Sequence, residues 1–289
     1  MLDLPLGSFA LGRLLTMCSN VIVNVVPPAR QVIESDFRRV LVGGPDGRSL
    51  TFVEEEPEPF GAAGTLAAIR SYTDDGVLTW NADTISDLDL GGLIDAHLRA
   101  GVAATVAVVP VASGADFLVR RDRAIAFIDR RWQSDASGGQ FIGAAVFEKS
   151  VLEALPDERP LGLAEAVLHP LVKCGELAVF EHHGYAADVG TFPRYIEASI
   201  DLLEGRGPEP PTPWPGEVIA VRRGAAYIGP GASAAQDALG PGAILLAGSR
   251  VEAGAFVERS IVWRNAVIPS GENVVDSVHP WFRGRQATG

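Results

Sequence analysis

Two aspartates occupy positions where α/β proteins have their ligand-binding and catalytic residues. Asp83 follows the apolar run Val77–Trp80. Asp188 lies in the segment Gly184–Thr191, which directly precedes a helix predicted to end at Leu203 and to be capped by Thr191. Open α/β sheets bind ligands outside the carboxyl ends of their strands. Mg²⁺ needs a couple of protein oxygens and completes its shell with water and phosphate, so two such carboxylates predict a magnesium site. Each aspartate taken singly fits a turn or helix-cap residue equally well.

A glycine-containing loop is the third candidate. Phe60–Leu66 contains Gly61, Ala62 and Gly64, follows an acidic run that ends at Glu56, and leads into a predicted helix. Glycines at such a junction let a planar group or a phosphate approach the backbone, and a helix N-terminus favours an anion. A plain tight turn would explain the same glycines.

The elements that must position these residues are short β-branched runs alternating with helical patterns. This alternation predicts an α/β fold with a Rossmann-like, mostly parallel sheet covered on both faces. One predicted helix, Leu90–Arg99, has Leu93, Ile94, His97 and Leu98 on one face. The other predicted strands are Val21–Val26, Leu50–Val53, Gly76–Trp80, Ala103–Val109 and Leu177–Phe180, and the other helices are Ala29–Phe37 and Gly64–Ser71.

The composition changes after Arg206, where prolines cluster that neither a helix nor a central strand tolerates. We therefore predict an α/β domain over 1–205, a Pro-rich linker over 206–216 and a second domain over 217–289. In the second domain aliphatic residues recur every six positions, which predicts a parallel β-helix of hexapeptide repeats. The repeating positions are Leu239, Leu245, Val251 and Val257, then Val262, Ile268 and Val274 after a one-residue slip.

Composition excludes several classes of protein. The chain has 289 residues, 47% hydrophobic and 21% charged, which is the range of a folded protein and not of a disordered one. Its net charge of -12 argues against a general nucleic-acid binder. The two cysteines, Cys18 and Cys174, are too few for a disulfide framework and are expected in the core. Without a basic leader or a run of about 20 apolar residues, we expect a cytoplasmic protein that does not enter a membrane.

Four segments, in this order, resemble the sugar-phosphate nucleotidyltransferases that carry a left-handed β-helix at the C-terminus, such as the mannose-1-phosphate guanylyltransferase-like proteins. Four such motifs in the order of the family identify it more specifically than any one of them does. The segments are Glu54–Leu66, similar to the family's nucleobase segment; Asn81-Ala82-Asp83, similar to its Asn-Gly-Asp metal motif; Phe141–Phe147, similar to its sugar-contacting strand; and Tyr185–Tyr195, similar to the motif with its second metal aspartate.

This resemblance implies an enzyme that joins a nucleoside triphosphate (NTP) to a sugar 1-phosphate and releases pyrophosphate. It implies Mg²⁺ as cofactor, held by Asp83 and Asp188, and a homo-oligomer with contacts or regulation through the β-helix. Glu56, Gly61, Ala62 and Gly64 would line the base pocket, Asn81 and Gly143 would contact substrate, and Arg130 would neutralise the sugar phosphate.

The sequence departs from the family pattern in two places. The family's Gly-x-Gly-Thr-Arg phosphate loop has no counterpart before Val21, so the chain is expected to begin downstream of it. The family's Glu-Lys-Pro would fall near Arg130, where no lysine is present, and a guanidinium replaces an ammonium only approximately. These departures leave open an alternative: a catalytically silent homologue that binds a nucleotide sugar or regulates an active subunit.

Overall fold

The computed structural model describes residues 1–42, 47–127 and 137–280, which form two compact units. The larger contains Ala10–Thr84 and Leu88–Ala186; the smaller contains Met1–Phe9, Ile85–Asp87 and the chain from Ala187 onward. No helix of the described residues is long and apolar enough to span a bilayer.

Helices and strands alternate through the first two thirds of the chain, as predicted. The α-helices are α1 (Ser8–Met17), α2 (Pro27–Val42), α3 (Ala62–Ile69), α4 (Leu90–Ala100), α5 (Lys149–Glu153), α6 (His169–Cys174) and α7 (Phe192–Leu203). The strands are β1 (Asn20–Val25), β2 (Ser49–Glu54), β3 (Gly76–Trp80), β4 (Thr84–Ser86), β5 (Ala104–Val111), β6 (Phe117–Arg120), β7 (Arg123–Phe127), β8 (Gly138–Glu148), β9 (Leu177–Glu181) and β10 (Ala186–Asp188).

The main sheet has the strand order β3-β8-β5-β9-β7-β6. Strand β5 is parallel to β9, whereas β8 is antiparallel to both β3 and β5, and β7 is antiparallel to β9 and β6. Four of the six strands thus run in one direction, as a mostly parallel sheet requires. Four of the five neighbouring pairs are nevertheless antiparallel, because β8 lies between β3 and β5 and β7 lies between β9 and β6.

Two smaller sheets accompany the main one. Strands β1 and β2 form a parallel pair, with Asn20 opposite Ser49 and Val25 opposite Glu54. Leu11, Leu15 and Phe37 from the flanking helices pack against Val21 of this pair. The second of these sheets consists of β4 and β10.

Two details of the predicted packing and the bounds of one predicted helix are wrong. Leu98 lies on the exposed face of α4, whereas Leu93 and His97 are buried as predicted. Cys174, expected in the core, is exposed at the end of α6, and Cys18 is only half-buried. Helix α2 begins at Pro27 instead of Ala29, because proline fits the first turn of a helix, and it ends at Val42 instead of the predicted Phe37.

The chain after the Pro-rich segment begins with an antiparallel pair of strands and continues as stacked coils whose strands pair in parallel, which gives three short sheets. Its strands are β11 (Glu217–Val221), β12 (Gly224–Ile228), β13 (Ala243–Leu245), β14 (Arg250–Val251), β15 (Phe256–Glu258), β16 (Ser260–Val262), β17 (Val267–Ile268), β18 (Asn273–Val275) and β19 (Val278–His279). The sheets are β11-β12-β13-β16-β19, β14-β17 and β15-β18. Ile244 lies opposite Ile261, and Ile261 lies opposite Val278, so one coil contains 17 residues.

This coil length explains the slip in the six-residue period. Val257, Val262 and Ile268 are completely buried in the core of the coils. The step from Val257 to Val262 is one residue short of six, so Leu245 pairs with Val262 17 residues on, whereas three full hexapeptides separate the bridged residues Leu239 and Val257 by 18. The slip therefore belongs to the coil geometry, while the predicted left-handed winding stays a prediction.

Asp3 binds across these coils. Its side chain is only 3% exposed and accepts hydrogen bonds from the backbone N–H of Ala247 at 3.0 Å and the Tyr227 hydroxyl at 3.2 Å. Arg264 pairs with the same carboxylate at 3.0 Å. A buried charge is tolerated when it is paired and hydrogen-bonded, and Asp3 meets both conditions.

Candidate functional site

Asp83 lies on a turn held by backbone hydrogen bonds at the carboxyl end of β3. The N–H of Asn81 donates to the carbonyl of Gly143 at 2.8 Å, and the N–H of Thr84 donates to the carbonyl of Asn81 at 3.1 Å. Asp83 itself is exposed, and no hydrogen bond or ion pair involves its carboxylate among residues 1–42, 47–127 and 137–280. Within these ranges the carboxylate of Asp83 therefore makes no side-chain hydrogen bond of the kind that an Asx-turn or a helix cap requires.

The backbone of Gly143 lies directly against Asn81, two residues before Asp83. Gly143 has φ +79°, and a Cβ added to it would lie 2.8 Å from the Cβ of Asn81. A side chain at position 143 would thus be both strained and obstructed. The glycine is explained by the neighbouring asparagine, whether or not a sugar also approaches there.

Asp188 ends β10 and already has two partners. Its Oδ1 accepts the N–H of Gly190 at 2.9 Å, and its Oδ2 accepts a hydrogen bond from Nη1 of Arg194 at 2.7 Å. The first contact is the turn geometry expected of an aspartate at a strand exit. Thr191 is the N-cap residue of α7 as predicted, but its side chain makes no capping hydrogen bond.

The glycine loop is closed on one side by the segment around Leu161. The backbone N–H groups of Ala63 and Gly64 both donate to the carbonyl of Leu161, at 3.1 and 3.4 Å. A Cβ on Gly61, which has φ +72°, would lie 2.5 Å from that oxygen. The amides of Ala63 and Gly64 are therefore already occupied, so a phosphate at this helix N-terminus would find neither of them free.

Glu55, and not Glu56, is the buried acid beside this loop. Glu56 is exposed, whereas Glu55 is buried and accepts hydrogen bonds from Thr65 Oγ1 at 2.6 Å and Asn24 Nδ2 at 3.0 Å. Glu55 therefore connects β1 to the first turns of α3. Within a run of three glutamates no pattern in the sequence distinguishes the buried one.

A second polar network lies at the other end of the strands, near the first residue of β3. The buried His97 contacts Thr105 Oγ1 through Nδ1 and Glu148 Oε1 through Nε2, both at 2.9 Å. Glu148 lies opposite Gly76, the first residue of β3, whereas Asp83 follows the last residue of that strand. This network therefore belongs to the scaffold and not to the candidate site.

The predicted magnesium ligands fit the chemistry of that ion, although they do not form a closed cage. No group of three or more His, Cys, Asp or Glu residues within the described ranges could hold a metal. Mg²⁺ needs only one or two protein carboxylates when substrate phosphates complete its shell. Asp83 and Asp188 are both exposed, and each would supply carboxylate oxygens of this kind. Arg130, the predicted phosphate ligand, lies outside the described residues.

Comparisons with known proteins identify two curated relatives, although no family model matches the chain. A mannose-1-phosphate guanylyltransferase of Mycobacterium tuberculosis is 29% identical over 247 residues, covering 79% of this chain and 67% of the relative. A probable glucose-1-phosphate cytidylyltransferase of Bacillus subtilis is 27% identical over 168 residues, covering 57% of this chain and 65% of the relative. The matches thus span about two thirds of each relative's length.

Solved structures share the fold. HddC from Yersinia pseudotuberculosis, in a crystal structure complexed with GMP-PN, matches with a TM-score of 0.54 and 19% identity, covering 67% of this chain and 83% of that one. A putative glucose-1-phosphate thymidylyltransferase from Bacillus anthracis matches with a TM-score of 0.57 and 17% identity, covering 67% of this chain and 80% of that one. At these identities the likeness concerns the α/β fold alone.

Proposed function

The curated relatives support the sugar-phosphate nucleotidyltransferase family for this chain, and from that premise we propose that it makes a nucleotide sugar from an NTP and a sugar 1-phosphate. A phosphate oxygen of the sugar 1-phosphate attacks the α-phosphorus of the NTP in line. The bond to the departing pyrophosphate breaks as the new P–O bond forms. Because the attacking oxygen is already an anion, the reaction needs alignment and charge neutralisation more than a general base.

The exposed carboxylate of Asp83 carries this proposal. It projects from a hydrogen-bonded turn at the carboxyl end of β3, and no described residue occupies it. Asp188, which ends β10, is proposed as the second carboxylate because its segment, like that of Asp83, resembles a metal motif of the family. In this proposal the two carboxylates hold Mg²⁺, which supplies charge neutralisation at the phosphates.

Other residues would bind and orient the two substrates. Glu56, Gly61, Ala62 and Gly64 would line the pocket for the base. Asn81 and Gly143, next to Asp83, would contact the sugar, and Arg130 would pair with its phosphate.

In this proposal the coils wind in the left-handed sense. Their outer surface provides the contacts between the subunits of an oligomer. Exposed aliphatic side chains on their outer surface, Val267 and Val275, support such contacts. The molar mass of the full chain in solution, measured by light scattering during gel filtration, would contradict them if it equalled the mass of one chain. The comparisons give no support to a silent nucleotide-sugar-binding subunit.

Asp83→Asn tests the proposed reaction. We expect the full chain to release pyrophosphate from some pair of NTP and sugar 1-phosphate only when Mg²⁺ is present. Removing a metal carboxylate forfeits several kcal/mol of charge stabilisation, so Asp83→Asn should lower this rate by at least about 100-fold. The rate is measured with a coupled pyrophosphate assay over a panel of both substrates.

Asp74→Asn is the matched control, because Asp74 is an exposed aspartate just before the other end of β3. Its rate should stay close to that of the unmodified chain. Full activity of Asp83→Asn would contradict the metal assignment. No turnover of any pair in the panel would contradict the proposed reaction itself.

A further inference from the structure

Asp188 has a cation of its own chain as its partner. The Arg194 guanidinium lies 2.7 Å from Oδ2, while the Gly190 N–H holds Oδ1 at 2.9 Å. The two residues lie on different elements, since Asp188 ends β10 and Arg194 is in the first turn of α7. The guanidinium thus occupies one of the two carboxylate oxygens that a metal would use.

This ion pair is exposed and therefore weak. The Asp188 and Arg194 side chains are 60% and 55% exposed, so water screens their attraction. Exposed ion pairs stabilise proteins little, since the charges are solvated and two side chains lose freedom. The backbone contact to Gly190 differs, because it fixes the orientation of the carboxylate independently of Arg194. The guanidinium can therefore leave while the carboxylate stays in position.

We propose that Arg194 is a built-in counter-ion of Asp188 that a divalent cation must displace to bind there. The inference rests on the proposed function, in which Asp188 is a metal ligand. The pair then neutralises the Asp188 carboxylate whenever no metal is bound, at the cost of some metal affinity. Loading of the metal is coupled to release of the Arg194 side chain into solvent.

Arg194→Gln tests this competition through metal binding alone. Titration of the full chain with Mn²⁺, with free Mn²⁺ quantified by electron paramagnetic resonance, gives a dissociation constant without any substrate. Loss of an exposed competing ion pair should tighten Mn²⁺ binding by about two- to five-fold. Arg206→Gln is the control, because Arg206 is 54% exposed, lies just after α7 and pairs with Asp201 at 2.6 Å instead. It should leave Mn²⁺ affinity unchanged.

Asp188→Asn completes a double-mutant cycle with Arg194→Gln. In the Asp188→Asn background, any Mn²⁺ binding left at Asp83 should not respond to Arg194→Gln. Equal affinities of Arg194→Gln and Arg206→Gln, with Asp188→Asn still weakening binding, would overturn the inference and leave the metal role of Asp188 intact. If Asp188→Asn leaves Mn²⁺ affinity unchanged, Asp188 is no ligand, and both the metal assignment and the inference are overturned.

Discussion

At the scale of single residues, Gly143→Ala would combine a strained backbone conformation with a clash between the new Cβ and Asn81. We expect this change to destabilise the chain by about 2–4 kcal/mol, because a left-handed backbone costs a side chain about 1–2 kcal/mol and the new Cβ would also meet Asn81. Displacing Asn81 should also slow the proposed reaction, since Asp83 is on the same turn. Thermal unfolding followed by circular dichroism measures the stability.

Gly114→Ala supplies the comparison, since Gly114 has φ +72° and nothing within 4 Å of the added Cβ. It should show the backbone strain without the collision and lose only about 1–2 kcal/mol. Equal losses in the two variants would mean that Asn81 yields freely to the added methyl group. The turn would then be less rigid than its hydrogen bonds indicate.

At the scale of elements, strand β17 has one inward and one outward residue side by side. Ile268 is fully buried in the coil core, whereas the preceding Val267 is 40% exposed. Ile268→Ala should lower the free energy of unfolding by about 2–5 kcal/mol, because it leaves a cavity. Val267→Ala should change it by less than about 0.5 kcal/mol. Calorimetric unfolding of both variants tests this, and a similar melting temperature for the two would contradict the coil arrangement.

The elements are the part of this protein that its sequence predicts best. Gly76–Trp80 and the start of α4 at Leu90 follow from local hydrophobic pattern, which depends on neighbouring residues only. The position of the antiparallel strand β8 between β3 and β5 depends on pairing between distant segments, and no local pattern contains it. The same limit applies at the site, where the chain order shows Asp188 and Arg194 but not that they form an ion pair.

At the scale of the whole molecule, stability should fall in strong alkali. Burial raises the pKa of Tyr195 to about 12, and burial together with the nearby Asp3 raises the pKa of Tyr227 as well. In the unfolded chain both phenols lose their protons near pH 10. Between about pH 10 and 12 the folded state therefore holds more protons, so the free energy of unfolding decreases as pH rises; below pH 10 this loss is absent.

Urea unfolding at several pH values from 9 to 12 measures this slope. Tyr195→Phe should flatten it, because the variant has no proton to retain, and the contribution removed should be about 2 kcal/mol at the upper end. An unchanged slope in Tyr195→Phe would show that this phenol ionises equally well in both states.

The 17-residue coil also sets the unit in which this part of the molecule can change length. Val251 and Ile268 in the core of the coils lie opposite each other at that spacing, as do Val257 and Val274. Adding or removing a whole coil leaves every later aliphatic residue facing inward, whereas a single inserted residue within a strand would rotate those that follow it towards solvent. Descendants of this gene should therefore gain or lose length here in steps of one coil, with smaller insertions confined to the corners.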